Sequence, residues 1–441
     1  MLLTHTLGIV LPEAAHPIRR MADGTVKQTN PFSGTTVWTI PGRANRPITP
    51  TGPEPQPIDP EASGAYCPFC EKRYLETPPE RMRSVAGVWR YALPAPEVVA
   101  GPADVRVIPN LFQILAYSYW HENYGYEVPP PGLRHAEAYL ADPLGRDHVC
   151  AIARTHALAG GLTEEEWDAL GSNEQADRGR SFFGSCHDLV IPRRHFADGA
   201  MLTTDLAGSG ALTPDEHAEY TRVTLDAAAA LYTGNVYAAH VAIFQNWLRP
   251  AGASFDHLHK QLVAIDEIGV SMREEIRRVR RNPWLYNDFG VAYPRAEGLV
   301  VAENEHAIAI AGYGHRYPSL EVYSRSAAPS PWQMSPAEVR GWSDLLHACH
   351  VVSGAEVPCN EEWHYRPPGV EVSMPLRVVV KWRISTLAGF EGGTKIHVNT
   401  IDPWTMRERA VAALREARAA GRVADMALGD DCPAEPLRYV I

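Results

Sequence analysis

Apolar and polar residues alternate with a period of two in short runs along this chain, and Gly, Pro, Asn or Ser closes most runs. That period places successive side chains on opposite faces of a strand. Strands are therefore expected at Thr35–Ile40, within 104–116, at His187–Ile191 and Val236–Phe244, near 297–302 and 305–311, and at Arg377–Ile384 and Lys395–Asn399. Helical stretches fall between them. Thr213-Pro214 with Glu216, Ser335-Pro336 with Glu338, and Asp402-Pro403 each put a capping side chain before a proline at the first helical position. The first two helices run to Gly234 and Gly354, the third covers 403–420, and a basic helix covers 269–281. Residues 118–180 keep no clean period and read as short helices, one capped by Thr163 with Glu166, in an insertion or lid. Residues 48–62 are proline-rich and read as an exposed linker. Strands, then a (Ser/Thr)-Pro-x-Glu helix, then a strand ending in polar residues occur twice. The pattern predicts an α+β protein of two related halves, 1–268 and 269–441.

One stretch organises the chemistry. Residues 244–265 read as a strand, a Gly/Pro/Ser loop and a second strand beginning with His257, His259 and Gln261 in a row on one face. Two imidazoles and a carboxamide side by side are costly to bury without partners. Alone, a His-x-His pair is more often incidental on a half-exposed strand; here it has company. Cys67-Pro-Phe-Cys70 places two thiols on a tight turn. The pair reads either as a redox couple or as half of a zinc site, which needs two further Cys or His ligands. His257 and His195 are candidates, and Cys186 or His187, beside His195, could replace it. His217, His347 and His350 fall on predicted helices and read as core or surface residues.

Composition narrows the partners. A net charge of -11 argues against generic binding to nucleic acid or a membrane surface, so phosphate recognition needs a local basic site. The seven cysteines are odd in number and scattered, which suits a reducing compartment rather than a disulfide scaffold. The apolar start lacks a basic leader, and no run approaches the roughly 18 apolar residues of a spanning helix. The expectation is a cytoplasmic protein with no membrane or nucleic-acid partner.

Several segments, in order, resemble the galactose-1-phosphate uridylyltransferase family, the transferase branch of the histidine-triad superfamily. NPFSGTTVWTIPGRANRP is similar to its Asn-Pro-Leu…Arg-x-x-Arg-Pro segment, CPFC to its zinc CxxC, and VIPNLF to its Val-x-x-Asn-x-(Phe/Tyr) segment. HDLVIPRRH resembles its His-Glu-Val-Val-Ile…His strand, and FQNW…GASFDHLHKQ its Asn…Gly-x-Ser-x-x-His-x-His-x-Gln. LVVAENEHAIAIA and AGFEGGTKIHVN resemble later strands, and only 118–180 lies outside the likeness. The resemblance implies two histidine-triad-like halves, each a mostly antiparallel half-barrel sheet with packed helices, and a homodimer. It implies that His259 attacks the α-phosphorus of a nucleotide-sugar, leaving a nucleotidyl-histidine that a sugar phosphate or phosphate then resolves. Gln261 would donate to phosphoryl oxygens without protonating a leaving group, which favours transfer over hydrolysis. Gly252 and Ser254 would line the phosphate, Arg43 and Arg46 would neutralise it, and Asn110 and Asn246 would fix ribose or phosphate. Cys67, Cys70, His195 and His257 would hold one zinc ion that orients the strand of the nucleophile.

The sequence also departs from the family. Where many members carry a late His-x-His pair of a second metal site, this chain has Lys381-Trp382-Arg383. No second metal is expected, and Lys381 and Arg383 are expected to meet an anionic acceptor. Glu391 matches a sugar-contacting position and His397 falls near another, so galactose itself is in question. Two further readings remain: a phosphorylase of ADP-sugars or dinucleoside polyphosphates, and a zinc-stabilised binding protein without catalysis.

Overall fold

A computed structural model describes residues 16–42, 54–437 and 439. Two compact units emerge from its contacts: Gly52–Ile268 with Pro331–Gln333, and the described residues of Met1–Thr51, Gly269–Ser330 and Met334–Ile441. Residues 16–42, expected in the first half, group with the later residues. Backbone pairing is the reason. Strands β1 (Ile18–Arg20), β2 (Val26–Thr29) and β3 (Thr36–Thr39) form an antiparallel meander, and the late strand Ile396–Asn399 adds to β3 in parallel.

The unit built on 52–268 contains β4 (Met82–Val85), β5 (Val88–Tyr91), β6 (Val105–Pro109), β7 (His187–Pro192), β8 (His240–Trp247) and β9 (Lys260–Ile265). They form an antiparallel sheet in the order β8-β9-β7-β6-β4-β5. Helix Pro214–Gly234 packs behind it on β6, β7 and β9. Its start is the expected capping box, with Thr213 accepting from the Glu216 amide and Glu216 reaching back. β8 begins later than expected because Asn235 ends the helix and its Oδ1 accepts from the Tyr237 amide, turning the chain first. β9 is flanked by two differently built faces. Lys260 is fully buried on the helix side, its Nζ 3.2 Å from Gln245 Oε1 and 4.3 Å from the centre of the Tyr220 ring. Gln261 is half-buried on the opposite side.

Residues 118–180 fold as packed helices, including Pro130–Ala141, Pro143–Ala159 and the Thr163-capped Glu164–Asp168. Tyr139, Val149 and Phe183 form one small core; Ile152, Trp167 and Phe182 form another. His148 ties this layer to the body: its Nε2–H donates to Thr77 O (2.7 Å), and its Nδ1 takes the Tyr139 hydroxyl (2.8 Å). Burial holds this imidazole down at about 4, against an ordinary 6.5. The unfolded chain therefore takes up a proton at higher pH than the folded one. The stabilisation is complete above 6.5 and falls as pH drops toward 4, by about 3 kcal/mol for such a displacement. Denaturation midpoints should fall less steeply between pH 7 and 4.5 in His148→Gln than in the parent; parallel slopes would contradict this account.

The other unit carries β10 (Val300–Glu303), β11 (Ala307–Ala311), β12 (Ser319–Ser324), β13 (Cys359–His364), β14 (Arg377–Trp382), β15 (Ile396–Asn399) and β16 (Ala427–Leu428). An antiparallel sheet runs β16-β10-β11-β12-β14-β13. Helices Pro336–Ser353 and Pro403–Ala419 cover it, both starting where their caps predict. β12 and β13 were not expected: Ser319-Leu-Glu-Val-Tyr-Ser324 and Cys359-Asn-Glu-Glu-Trp-His364 read as polar, yet they are largely buried. Their carboxylates are satisfied internally. Glu321 accepts from Arg377, Tyr323 and His315, and Glu361 pairs with His350 at 2.6 Å. No described helix is long and apolar enough to cross a membrane.

Candidate functional site

Four side chains from three distant segments converge in the first unit. Cys67 and Cys70 lie on a turn closed by the Cys70 amide on Cys67 O (3.0 Å), packed with Phe69 on Ile108, Leu189 and Ile191 of the sheet. His195 follows the end of β7, and His257 precedes β9. The two sulfurs are 3.7 Å apart, and each lies 3.4–3.8 Å from Nδ1 of both histidines. Tetrahedral zinc, with bonds of roughly 2.3 Å to sulfur and 2.0–2.1 Å to nitrogen, has edges of about 3.5–3.8 Å. The donor set therefore fits. His257 Nε2–H donates to Pro192 O (2.9 Å), which leaves its Nδ1 lone pair facing the sulfurs. Contact with Cys70 and burial push the Cys67 thiol well up, while that same contact pulls Cys70 down. These are the only His, Cys, Asp or Glu side chains among the described residues that converge as a potential metal site. Cys186 and His187 are not in the group: Cys186 accepts from Asn235, and His187 faces elsewhere.

His259 stands beside this centre. The ordered strand starts at Lys260, so His257 and His259 lie just before it rather than within it. Their positions come from side-chain contacts. His259 is 4% exposed, with the edges of Phe69 and Phe255 around it. Its Nδ1–H donates to His257 O (2.8 Å), so Nε2 carries the lone pair. Burial holds its pKa at about 4, so the ring is neutral near pH 7. A neutral imidazole with a fixed tautomer is a nucleophile.

The sheet of the same unit carries three amide side chains. Asn110 follows β6, Asn246 lies on β8, and Gln261 on β9 pairs across to Leu189 and Phe244. The loop between β8 and β9 turns at Gly252, whose φ of +93° suits glycine. A β-carbon there would sit 3.6 Å from Asn246 Nδ2. Ser254 is exposed on the same loop. Arg43 and Arg46 lie outside the described residues.

Lys381, Arg383, Glu391 and His397 belong to the other unit. Lys381 Nζ pairs with Glu362 at 2.5 Å; Arg383 donates to Asn360 (2.7 Å) and covers the Tyr317 ring. Glu391 accepts from the Ala388 amide at the start of helix Gly389–Thr394. His397 is half-buried on β15; burial, then the nearby Arg316 charge, holds its pKa down.

Two participants escaped the sequence reading. Phe69 was treated as a spacer between cysteines but packs against His259. His187 was weighed only as a metal ligand, yet its Nε2 lies 3.2 Å from Gln261 Oε1 and 3.1 Å from Asn110 Nδ2. The His187–Ile191 strand was legible; that its first residue meets a glutamine 74 positions later was not.

Comparison with known proteins agrees at the level of fold. A family described as Domain of unknown function (DUF4921) matches residues 21–439. No curated protein sequence matches. An ADP-glucose phosphorylase from Arabidopsis thaliana, solved with bound ADP-glucose, superposes with a TM-score of 0.57 at 15% identity, covering 88% of this chain and 97% of its own. A galt-like protein from Arabidopsis thaliana gives 0.53 at 15% identity, covering 87% and 97%. The α+β fold with antiparallel sheets that the sequence resemblance implied is the fold observed, and the chain stands as a remote member of that group of folds.

Proposed function

The chain belongs to the DUF4921 family, and we propose that it is a nucleotidyltransferase working through a nucleotidyl-histidine on His259. The observation that carries this reading is the buried, neutral His259 with its Nε2 lone pair fixed by the Nδ1–H bond to His257 O. In the first step Nε2 forms a bond to the α-phosphorus of a nucleotide-sugar. The bond from that phosphorus to the bridging oxygen breaks, and the sugar phosphate leaves with the electron pair. An acceptor phosphate oxygen then attacks the same phosphorus and returns the imidazole to neutrality. The proton stays on Nδ1, donated to the His257 carbonyl, throughout. Gln261 donates to the phosphoryl oxygens, Asn110 and Asn246 fix ribose or phosphate, and Gly252 with Ser254 lines the phosphate. Arg43 and Arg46 add charge to the same anion. Cys67, Cys70, His195 and His257 hold a zinc ion whose contribution is to brace the segment that carries His259.

The acceptor is either a sugar phosphate or inorganic phosphate; the phosphorolytic alternative is supported by the likeness to an ADP-glucose phosphorylase. The direct test is a screen of UDP-, ADP-, GDP- and CDP-sugars for exchange with labelled phosphate or sugar phosphates. Exchange without a second nucleotide substrate supports the ping-pong scheme. Silence across the whole set removes it in favour of a zinc-stabilised binding protein.

The same proposal places the acceptor's anionic group on Lys381 and Arg383, with Glu391 and His397 reading its hydroxyls. Lys381 must then exchange Glu362 for the ligand. In Lys381→Ala/Arg383→Ala the acceptor KM should rise roughly 10- to 100-fold, as when charged hydrogen bonds of about 1.5–3 kcal/mol are lost. The half-reaction with the nucleotide-sugar should be untouched, and an unaltered acceptor KM would discard this assignment.

A further inference from the structure

His187 is 1% exposed, lies on the sheet face that carries Gln261, and stands outside the group of Cys67, Cys70, His195 and His257. Its hydrogen bonds can be followed atom by atom. The Ile114 backbone amide donates to His187 Nδ1 at 3.2 Å. A backbone N–H can only donate, so Nδ1 is the acceptor and the ring proton sits on Nε2. That Nε2–H has two neighbours, Gln261 Oε1 at 3.2 Å and Asn110 Nδ2 at 3.1 Å. Only the oxygen can accept. Gln261 therefore turns its carbonyl toward His187 and its NH2 away from it.

Asn110 is oriented by a different partner. Its Oδ1 accepts from the Phe112 amide (3.0 Å), so its NH2 is the end that lies 3.1 Å from His187 Nε2, and as a donor it takes no proton from that nitrogen. Both carboxamides are thus held with their oxygens occupied inside the protein. Gln261 and Asn110 are each half-buried, unlike His187. Burial keeps the His187 ring down at about 4, so near neutral pH it has one proton and one lone pair, the state this arrangement needs.

On the reading of His259 as a nucleophile, we infer that His187 is a positioning residue: through its Nε2–H it sets the amide of Gln261 so that the NH2, not the carbonyl, meets the phosphoryl oxygens of a bound nucleotide. A flipped amide would bring an oxygen against an anion and reverse the sign of the interaction. His187 itself touches neither substrate nor reacting atoms.

The test is the rate of nucleotidyl-histidine formation, measured by intact mass after rapid mixing with the nucleotide-sugar that proves active in the exchange screen. His187→Phe fills the ring volume without the proton and is expected to slow adduct formation by roughly 10- to 100-fold, with a smaller change in nucleotide-sugar KM. His187→Gln places an amide donor near the former Nε2 and should recover most of the rate. His187→Asn, whose shorter amide reaches the Nδ1 position, should not. In a Gln261→Ala background, His187→Phe should cost less than about two-fold, because the group it acts through is gone. Equal losses in both backgrounds, or a His187→Phe rate equal to the parent, would overturn the inference. Thermal melts identify any variant that fails to fold, and the Gln/Asn contrast then decides. If the parent forms no adduct, the nucleotidyl-transfer reading itself fails; if it does and His187→Phe matches it, only the positioning role fails.

Discussion

His259→Ala is expected to abolish nucleotidyl transfer, lowering turnover by at least about ten-thousand-fold, the scale seen when a covalent nucleophile is removed. In the parent, intact mass spectrometry after mixing with an active nucleotide-sugar should show a species heavier by one nucleoside monophosphate. The adduct should vanish in His259→Ala and disappear from the parent when acceptor is added. Gln261→Ala should slow the reaction by roughly 100-fold and still form the adduct, since it removes a donor rather than the attacking atom. An adduct that persists in His259→Ala would move the chemistry to another residue. The fold should survive the substitution, because the neighbours of His259 are the rings of Phe69 and Phe255 and a backbone carbonyl, none of which is left as an unpaired buried charge.

The second large effect concerns the metal centre. Purified parent should contain about one zinc per chain by elemental analysis, and Cys70→Ala should contain almost none. The unfolding free energy should drop by several kcal/mol, since structural zinc contributes roughly 10–16 kcal/mol in small peptides and a larger fold shares that load with its core. A strong chelator should lower the melting temperature of the parent and leave Cys70→Ala unchanged. Cys186→Ala serves as the control: its thiol accepts from Asn235 away from the cluster, so zinc content should stay the same. Zinc loss in Cys186→Ala, or none in Cys70→Ala, would contradict the ligand set. Both readouts are independent of activity.

How much of this was visible beforehand differs by element. The three capped helices and the strands beginning at His187 and Arg377 followed from local signals: a side chain that satisfies orphan amides, or alternation against a core. β12 and β13 lacked such signals because Glu321 and Glu361 are buried inside networks with Arg377 and His350, so inward positions are charged and the alternation disappears. The candidate site was legible as a set of residues but not as a set of partners. Cysteine spacing announced half of a metal site, but choosing His195 over His187 depended on β7, which begins at one and ends before the other. Asn110 and Gln261 were expected to serve a ligand; that a buried histidine lies between them rests on contacts 77 and 74 positions apart, which no local pattern carries. Residues 16–42 group with later residues because parallel pairing of β3 with β15 joins segments more than 350 positions apart, and no local pattern carries such a contact.

Lys260 gives β9 a further property. Between His259 and Gln261 it is the single residue directed the other way, buried against Tyr220 and Gln245 beneath helix Pro214–Gly234. A slip of one residue along β7 and β8 would place an ammonium group among the amides and press an imidazole or a carboxamide into the slot that Tyr220 closes. Both halves of that exchange are unfavourable, so β9 has one alignment available to it. The buried cation behaves as an index pin. Loop 248–256 can change in length during evolution or engineering without shifting the frame, because the frame is keyed from behind the sheet.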